Sequence, residues 1–189
     1  DRQSGELAST PSVDPCFVFH HVNAFEEPER NEVVVDVIAF DDSQVIQSLY
    51  LDRLRSGEEP APGGELRRYR LPLDTRSEDD DSMNDKSVDN DSMNDRAATD
   101  SSVDYESLLS GPVEFPMINY RQVSTRPYRY CYASGHTHSQ PTGLLNCLVK
   151  YDIETDSREV WSEPGVYPGE PVFVARQPAA EPETETETR

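Results

Sequence analysis

Lysine is almost absent from this chain. Only Lys86 and Lys150 are lysines, and 17 basic residues face 37 acidic ones, which gives a formal charge of −20. A phosphate backbone is bound through a cationic surface, so nucleic acid is not expected as a partner. An acidic excess with arginine preferred over lysine instead suggests adaptation to high salt, where counterions screen the repulsion between like charges.

This acidity gives a first testable prediction. We expect the far-UV circular dichroism of the chain to strengthen from low salt to molar NaCl, because screening weakens the repulsion among carboxylates. Spectra and thermal melts at each salt concentration measure the effect. A sharp cooperative melt that does not change with salt would contradict the prediction.

The chain also has few apolar residues and no Cys-x-x-Cys pair. Apolar residues make up 34% of it, below the roughly 45–50% of a typical globular domain, so either part of the chain is unstructured or its core is completed from outside. Cys16, Cys131 and Cys147 are odd in number and widely spaced, which argues against a disulfide framework or a thiolate metal site. No apolar run approaches the roughly 18 residues of a membrane span. A soluble, cytoplasmic protein is therefore expected.

What the sequence does contain is a series of short β-type segments separated by turn signals, which is typical of an all-β fold. Strands are predicted over residues 16–22, 32–40, 65–73, 113–120, 128–133, 144–153, 159–161 and 171–175. The nearly continuous β-branched residues of 32–40 predict a strand buried on both faces. The pattern leaves helix and strand open for 41–54, with Leu49, Leu51 and Leu54 predicted to lie in the core.

Two segments show no apolar periodicity. Residues 76–104 repeat the sequence of 81–85 at 91–95 but lack the glycine and the closing glutamate of an EF-hand calcium loop. They are predicted to be a disordered acidic insertion within a domain that spans 1–175, and 176–189 is predicted to be a disordered tail. Three arginines in the strand over 65–73 are expected to pair with neighbouring carboxylates rather than bind an anion: Arg67, Arg68 and Arg70.

The four histidines form two close pairs. His20 and His21 end an apolar strand, where successive side chains point to opposite faces, so only one of them can serve a given site. The other is expected to pack or to form a hydrogen bond, and a structural role for both is the commoner outcome for histidine. His136 and His138 lie between turn signals and are expected on a solvated loop, and with His20 or His21 they would make at most a weak zinc site.

Several motifs in a fixed order resemble those of the carotenoid cleavage oxygenases, the retinal pigment epithelial membrane protein-like family. Residues 19–27 read Phe-His-His-Val-Asn-Ala-Phe-Glu-Glu, 113–120 read Val-Glu-Phe-Pro-Met-Ile-Asn-Tyr, and 170–174 read Glu-Pro-Val-Phe-Val. Residues 66–71, 128–132 and 148–152 match as well. Together the motifs cover most of the chain outside the acidic insertion and the tail.

The resemblance implies a seven-bladed β-propeller, of which this chain would form about two to three blades. It implies a non-haem Fe(II) ion held by four histidines on the propeller axis, with O₂ and an apolar polyene (a carotenoid or apocarotenoid) as substrates and carbonyl products. In this motif His20 is the ligand and His21 is not, while Glu114 and Glu170 match carboxylates that lie behind ligands. Association of the complete enzyme with a membrane surface is also implied.

Only one of the four ligand motifs is present in these 189 residues. In the family's order two ligands would precede residue 1 and the last would follow residue 189. The chain is therefore expected to be a fragment or the product of a split gene, inactive by itself. Two alternatives remain: a non-catalytic remnant or subunit whose partner chain carries the missing blades, and a small zinc-binding β protein.

Overall fold

The computed structural model describes residues 2–56, 63–73, 102–109, 111–137 and 144–176. Most of the regular structure in these residues is β-strand. The strands are β1 Phe17–Glu27, β2 Glu32–Phe40, β3 Glu65–Pro72, β4 Tyr105–Leu109, β5 Val113–Met117, β6 Tyr130–Gly135, β7 Cys147–Asp152 and β8 Ser157–Trp161. The helices are short: α1 Gln44–Ser48, α2 Leu51–Ser56 and α3 Tyr120–Val123.

The strands form two antiparallel sheets of four strands each. Sheet 1 has the order β1-β2-β3-β4 and sheet 2 the order β5-β6-β7-β8, so each strand pairs with its neighbour along the chain. A four-stranded up-and-down sheet is the unit from which propeller blades are built. The all-β prediction is confirmed, and the described residues contain two such units.

The main core lies between the two sheets. It contains Val22, Ile38 and Leu66 from sheet 1, together with Cys147 from sheet 2 and Ile118, which follows β5. All five side chains are almost completely buried. The first strands of the two sheets, β1 and β5, are edge strands that contact each other. Side chains at the ends of these two strands can therefore meet across the gap between the sheets.

A close backbone approach at Gly64 joins the two sheets. The amide of Val113 donates to the carbonyl of Gly64 at 3.0 Å. A Cβ atom at Gly64 would lie 2.4 Å from Cγ2 of Ile38 and 2.9 Å from the Val113 carbonyl oxygen. Only glycine fits there without displacing one sheet from the other.

Strand β2 has the bounds predicted from its β-branched run and is buried on both faces from Asp36 to Phe40. One face joins the main core, and the other forms a smaller cluster in which Val37 and Ala39 pack with Tyr69. Because a strand buried on both faces lacks polar alternation, a continuous apolar run is the expected signal for it.

The prediction that the leucines of 41–54 belong to the core is wrong. This segment forms α1 and α2, in which no residue is fully buried. Leu49 is 52% exposed and Leu51 is 65% exposed, while Leu54 is only partly buried. Helices of five and six residues are too short to cover an apolar face without a packing partner.

Two strand predictions also fail. Residues 171–175 form no strand and leave Val172 and Val174 about four-fifths exposed, at 79% and 82%. A segment with β propensity needs a neighbouring strand for its hydrogen bonds, and none of the described residues pairs with this one. Strand β4 was not predicted because Tyr105–Leu109 shows no clear alternation.

Of the insertion predicted over 76–104, only 102–104 lie among the described residues, where the amide of Val103 donates to the carbonyl of Ser12 at 2.9 Å. The predicted tail lies outside them beyond Arg176. The three cysteines are free thiols. In the described part of the chain, no helix has the length and apolar character needed to cross a bilayer.

The arginines of β3 pair with carboxylates, as predicted. Arg67 binds Asp41 at 2.7 Å and Glu65 at 2.8 Å. Arg68 donates hydrogen bonds to both carboxylate oxygens of Asp36 at 2.8 Å, and Arg70 forms a salt bridge with Glu27 at 2.9 Å. With their guanidinium groups engaged by acids, these arginines do not form an anion site.

Candidate metal-ligand site

His20 lies on the most irregular part of β1. The pairing of β1 with β2 shifts between Val18 and His20 and again between His21 and Asn23, so Phe19 and Val22 have no partner in the ladder. Bulges of this kind redirect side chains and increase local twist. His20 turns toward sheet 2 and is partly buried, whereas His21 is exposed.

The imidazole of His20 contacts the carboxylate of Glu114, the second residue of β5. Nδ1 of His20 lies 2.6 Å from Oε2 of Glu114, although the two residues are 94 positions apart in the chain. The same oxygen accepts the backbone amide of Phe115 at 2.9 Å. The structure therefore brings together two of the three residues that the motifs single out.

The chemistry of this pair fixes which ring nitrogen carries a proton. An ionised carboxylate only accepts hydrogen bonds, so Nδ1 of His20 must be the donor. In the neutral imidazole this leaves Nε2 with its lone pair, and within the described residues Nε2 makes no hydrogen bond. A histidine held in this tautomer by a carboxylate is the usual form of a metal ligand.

The second oxygen of Glu114 is an exception to the rule that buried polar atoms are paired. Oε1 is buried and has no hydrogen-bond partner among the residues that the structure describes. An unpaired buried oxygen costs free energy, and such atoms concentrate where a group has a functional role.

The pair lies on the wall of a mostly apolar cavity of about 390 Å³. This cavity opens between β1, β5, α1 and the segment that follows β8, and its size falls within the range of small-molecule sites. Besides His20 and Glu114, the side chains that matter most for its chemistry are Phe19, Phe40, Leu49, Phe115, His136, Leu144 and Tyr167.

Glu170 lies elsewhere. It is exposed, and it forms no hydrogen bond with His20 or Glu114. The preceding residue, Gly169, is tied to sheet 2 through its carbonyl, which accepts the hydroxyl of Ser134 at 2.7 Å. The role predicted for Glu170, behind a ligand, remains a prediction, because in the described residues it contacts neither His20 nor Glu114.

Two further residues line this cavity: Phe115, for which no role was predicted, and His136, which was predicted only as a candidate zinc ligand. Phe115 has φ of 55°, in the left-handed region that bulky residues seldom adopt, and its ring centroid lies 5.5 Å from that of His20. His136 follows β6, and burial lowers the pKa of its imidazole. The left-handed conformation of Phe115 and the cavity that His136 shares with His20 were not predictable from the sequence, because both arise from tertiary structure.

The zinc alternative has part of its donor set in one place, since His136 and His20 line the same cavity. His138 lies outside the described residues, and His21 is exposed. Among the residues that are described, no group of three or more His, Cys, Asp or Glu side chains could hold a metal ion. This part of the chain contributes at most a partial donor set.

The chain is similar to known proteins over almost its whole length. The model of the retinal pigment epithelial membrane protein family matches residues 1–187. A mitochondrial carotenoid-cleaving dioxygenase of Macaca fascicularis is 32% identical over 92% of this chain and 33% of its own length. A β,β-carotene 15,15′-dioxygenase of Mus musculus is 37% identical over 86% of this chain and 28% of its own.

Solved structures show the same relationship. Cobalt-substituted apocarotenoid oxygenase of Synechocystis matches with a TM-score of 0.58 and 28% identity, over 85% of this chain and 28% of that one. The two sheets therefore correspond to blades of a partial β-propeller, as predicted. The chain spans about a third of the length of the curated relatives that it matches. Because the family model covers nearly every residue, this chain belongs to the retinal pigment epithelial membrane protein family, the carotenoid oxygenases.

Proposed function

We propose that this chain forms part of a non-haem Fe(II) dioxygenase that splits a C=C bond of a carotenoid or apocarotenoid into two carbonyl products. The observation that carries the proposal is the His20–Glu114 contact on the wall of an apolar cavity. The names of the relatives support the substrate class, since both are dioxygenases that act on carotenoids.

His20 fits the role of one iron ligand. Its Nδ1 is engaged by Glu114, which leaves Nε2 as the donor atom, and imidazole nitrogen suits Fe(II) better than calcium or magnesium. When bound, the iron would supply the activation of O₂. One histidine does not retain iron, so the remaining ligands must come from further blades of the same protein or from a partner chain.

The other residues of the site have roles that follow from their positions. Glu114 orients the His20 ring and increases its basicity by accepting the Nδ1 proton. The rings of Phe19, Phe40 and Phe115 present an apolar wall that suits a polyene and excludes water from it. The free thiols favour a reducing compartment such as the cytoplasm.

The test of this function joins the chain to the remaining blades, on one polypeptide or by co-expression. The complex is purified anaerobically, its iron is measured, and it is incubated with O₂ and either β,β-carotene or an apocarotenal. Stoichiometric iron and aldehyde products are expected. A complete complex that binds iron but leaves both polyenes intact would refute the substrate class, and one that retains no iron would refute the metal site.

In that complex Glu114→Gln should reduce iron affinity or cleavage rate by about 10- to 100-fold, the range for partners that orient metal ligands. The amide still offers an oxygen to Nδ1 of His20 but carries no charge, so Nε2 of the ring becomes a weaker electron-pair donor to iron. Glu170→Gln is expected to cause a loss of similar size through a ligand outside this chain. An unchanged iron dissociation constant in Glu114→Gln would refute the role of Glu114 in orienting His20.

A further inference from the structure

Asn23 is a buried polar residue to which neither the motifs nor the proposed chemistry gives a role. It lies three positions after His20 on β1 and is only 7% exposed. Its side chain reaches the loop that links α3 to β6, in the half of the molecule that contains sheet 2. Nδ2 donates to the carbonyls of Val123 at 3.1 Å and Arg126 at 2.9 Å, and Oδ1 accepts the amide of Thr125 at 3.0 Å.

These three bonds use nearly the full capacity of a side-chain amide. An Asn side chain offers two donor hydrogens and one acceptor oxygen, and here both kinds of atom are paired with backbone groups of a single loop. Thr125 has φ of 61°, so the loop is held in a conformation that its own residues do not favour. The amide of Asn23 therefore both shapes this loop and attaches it to β1.

Two neighbouring contacts reach the same segment. Val22 has no partner in the β1–β2 ladder, and its carbonyl accepts the hydroxyl of Tyr120 at 3.1 Å. Asp36, which pairs with Asn23 across the two strands, accepts the hydroxyl of Tyr128 at 2.6 Å. The bulge after His21 thus connects to residues 120–128 at several points, and we call this set of contacts the bulge clamp.

The bulge clamp lies beside both residues of the His20–Glu114 pair. On one side it fixes β1 within three residues of His20. On the other side it fixes a segment that begins at Tyr120, close behind the end of β5, the strand that carries Glu114. The Nδ1–Oε2 distance of 2.6 Å depends on the relative placement of two edge strands that no ladder hydrogen bond joins. A fixed link next to both strands contributes to that placement, together with the hydrogen bond between Val113 and Gly64 beside Glu114.

We propose that Asn23 is a positioning residue that holds the His20 imidazole against Glu114 through the bulge clamp. Its effect on His20 can be measured without metal, and its value for catalysis rests on the function proposed above. Asparagine is specific for this position: aspartate would keep the acceptor for Thr125 but would face two carbonyls without a donor, and alanine would leave three backbone groups unpaired.

The test uses the 189-residue chain with ¹⁵N-labelled histidine, and NMR reads the ring nitrogens of His20. In the wild type the Nδ1-protonated tautomer should dominate, with a slowly exchanging Nδ1–H. Asn23→Ala and Asn23→Asp should lose that signal and shift the ring nitrogens toward the average of the two tautomers. Tyr120→Phe removes a single oxygen from the clamp and should cause a smaller shift in the same direction.

Val149→Ala is the matched control. Val149 is buried in β7 within the main core and makes none of the hydrogen bonds of the bulge clamp, so this substitution lowers stability without removing a contact of the clamp. Its His20 signals should remain those of the wild type. Unchanged His20 signals in folded Asn23→Ala, or an equal shift in Val149→Ala, would overturn the proposal. Should Asn23→Ala fail to fold, Tyr120→Phe decides: an unaltered His20 ring in that variant refutes the clamp.

The same variants separate this inference from the proposed function. If the complete complex contains no iron while Asn23→Ala still shifts the His20 tautomer, the clamp stands and the metal site fails. If iron and cleavage are present in the wild type, Asn23→Ala should weaken iron binding with little change in the KM for the polyene, because the clamp acts on His20 and not on the apolar wall. A change in KM alone would contradict a positioning role.

Discussion

His20→Ala should abolish both iron retention and polyene cleavage in a complex that contains the complete set of blades. The substitution removes the one imidazole that the described residues place on the cavity wall with Nδ1 held by a carboxylate. Losing one ligand leaves the coordination incomplete and lowers the electron donation that sets the reactivity of the metal. Metal content after anaerobic purification and product formation from an apocarotenal are the two measurements.

His21→Ala is the matched control for this experiment, because it removes an identical side chain one residue further along β1. His21 is exposed and does not line the cavity, so iron should remain bound and cleavage should continue. Loss of iron in His21→Ala with retention in His20→Ala would mean that the bulges in β1 are placed one residue off. Retention of iron in both variants would exclude this strand from the metal site.

The accuracy of the sequence-based fold prediction follows from how each strand is buried. β2 was predicted to the residue because a strand buried on both faces carries a continuous β-branched signal. β4 was missed because a short run with mixed polarity carries little signal. Residues 171–175 carry the signal of a strand but form none, because strand formation also needs a pairing partner, which local sequence does not specify.

The candidate site, too, could be predicted from the sequence only in part. The opposite orientations of His20 and His21 follow from strand geometry, and the structure places them accordingly. The contact between His20 and Glu114 does not follow from strand geometry, because it joins residues 94 positions apart and depends on two bulges that no residue type in β1 predicts. Leu49 illustrates the same limit: its apolar side chain was assigned to the core, whereas it lines the open cavity.

Asp36→Ala should strongly destabilise the described core, by about 3–5 kcal/mol of unfolding free energy, the cost of breaking a buried ion pair. Asp36 is completely buried and accepts two bonds from Arg68 at 2.8 Å and one from Tyr128 at 2.6 Å. Burial, reinforced by the nearby Asp36 carboxylate, raises the pKa of Tyr128, so its hydroxyl keeps its proton and donates. Removing Asp36 leaves a mostly buried guanidinium with no salt-bridge partner among the described residues. Urea unfolding of the 189-residue chain, followed by circular dichroism, measures the loss.

Asp152→Ala is the control with matched chemistry. Asp152 also receives a two-pronged contact from an arginine, Arg129, at 2.9 and 2.7 Å, but that guanidinium is 42% exposed. Arg129 then keeps its contact with Glu154 at 3.2 Å and is otherwise hydrated, so this variant should unfold close to the wild-type urea concentration. Tyr128→Phe should fall between the two, because it removes one hydrogen bond to the charged Asp36 carboxylate and leaves the Arg68–Asp36 ion pair intact, a loss of about 1.5–3 kcal/mol. Equal destabilisation by Asp36→Ala and Asp152→Ala would show that water reaches Arg68 when Asp36 is removed. Burial would then not determine how much the Arg68–Asp36 ion pair contributes to stability.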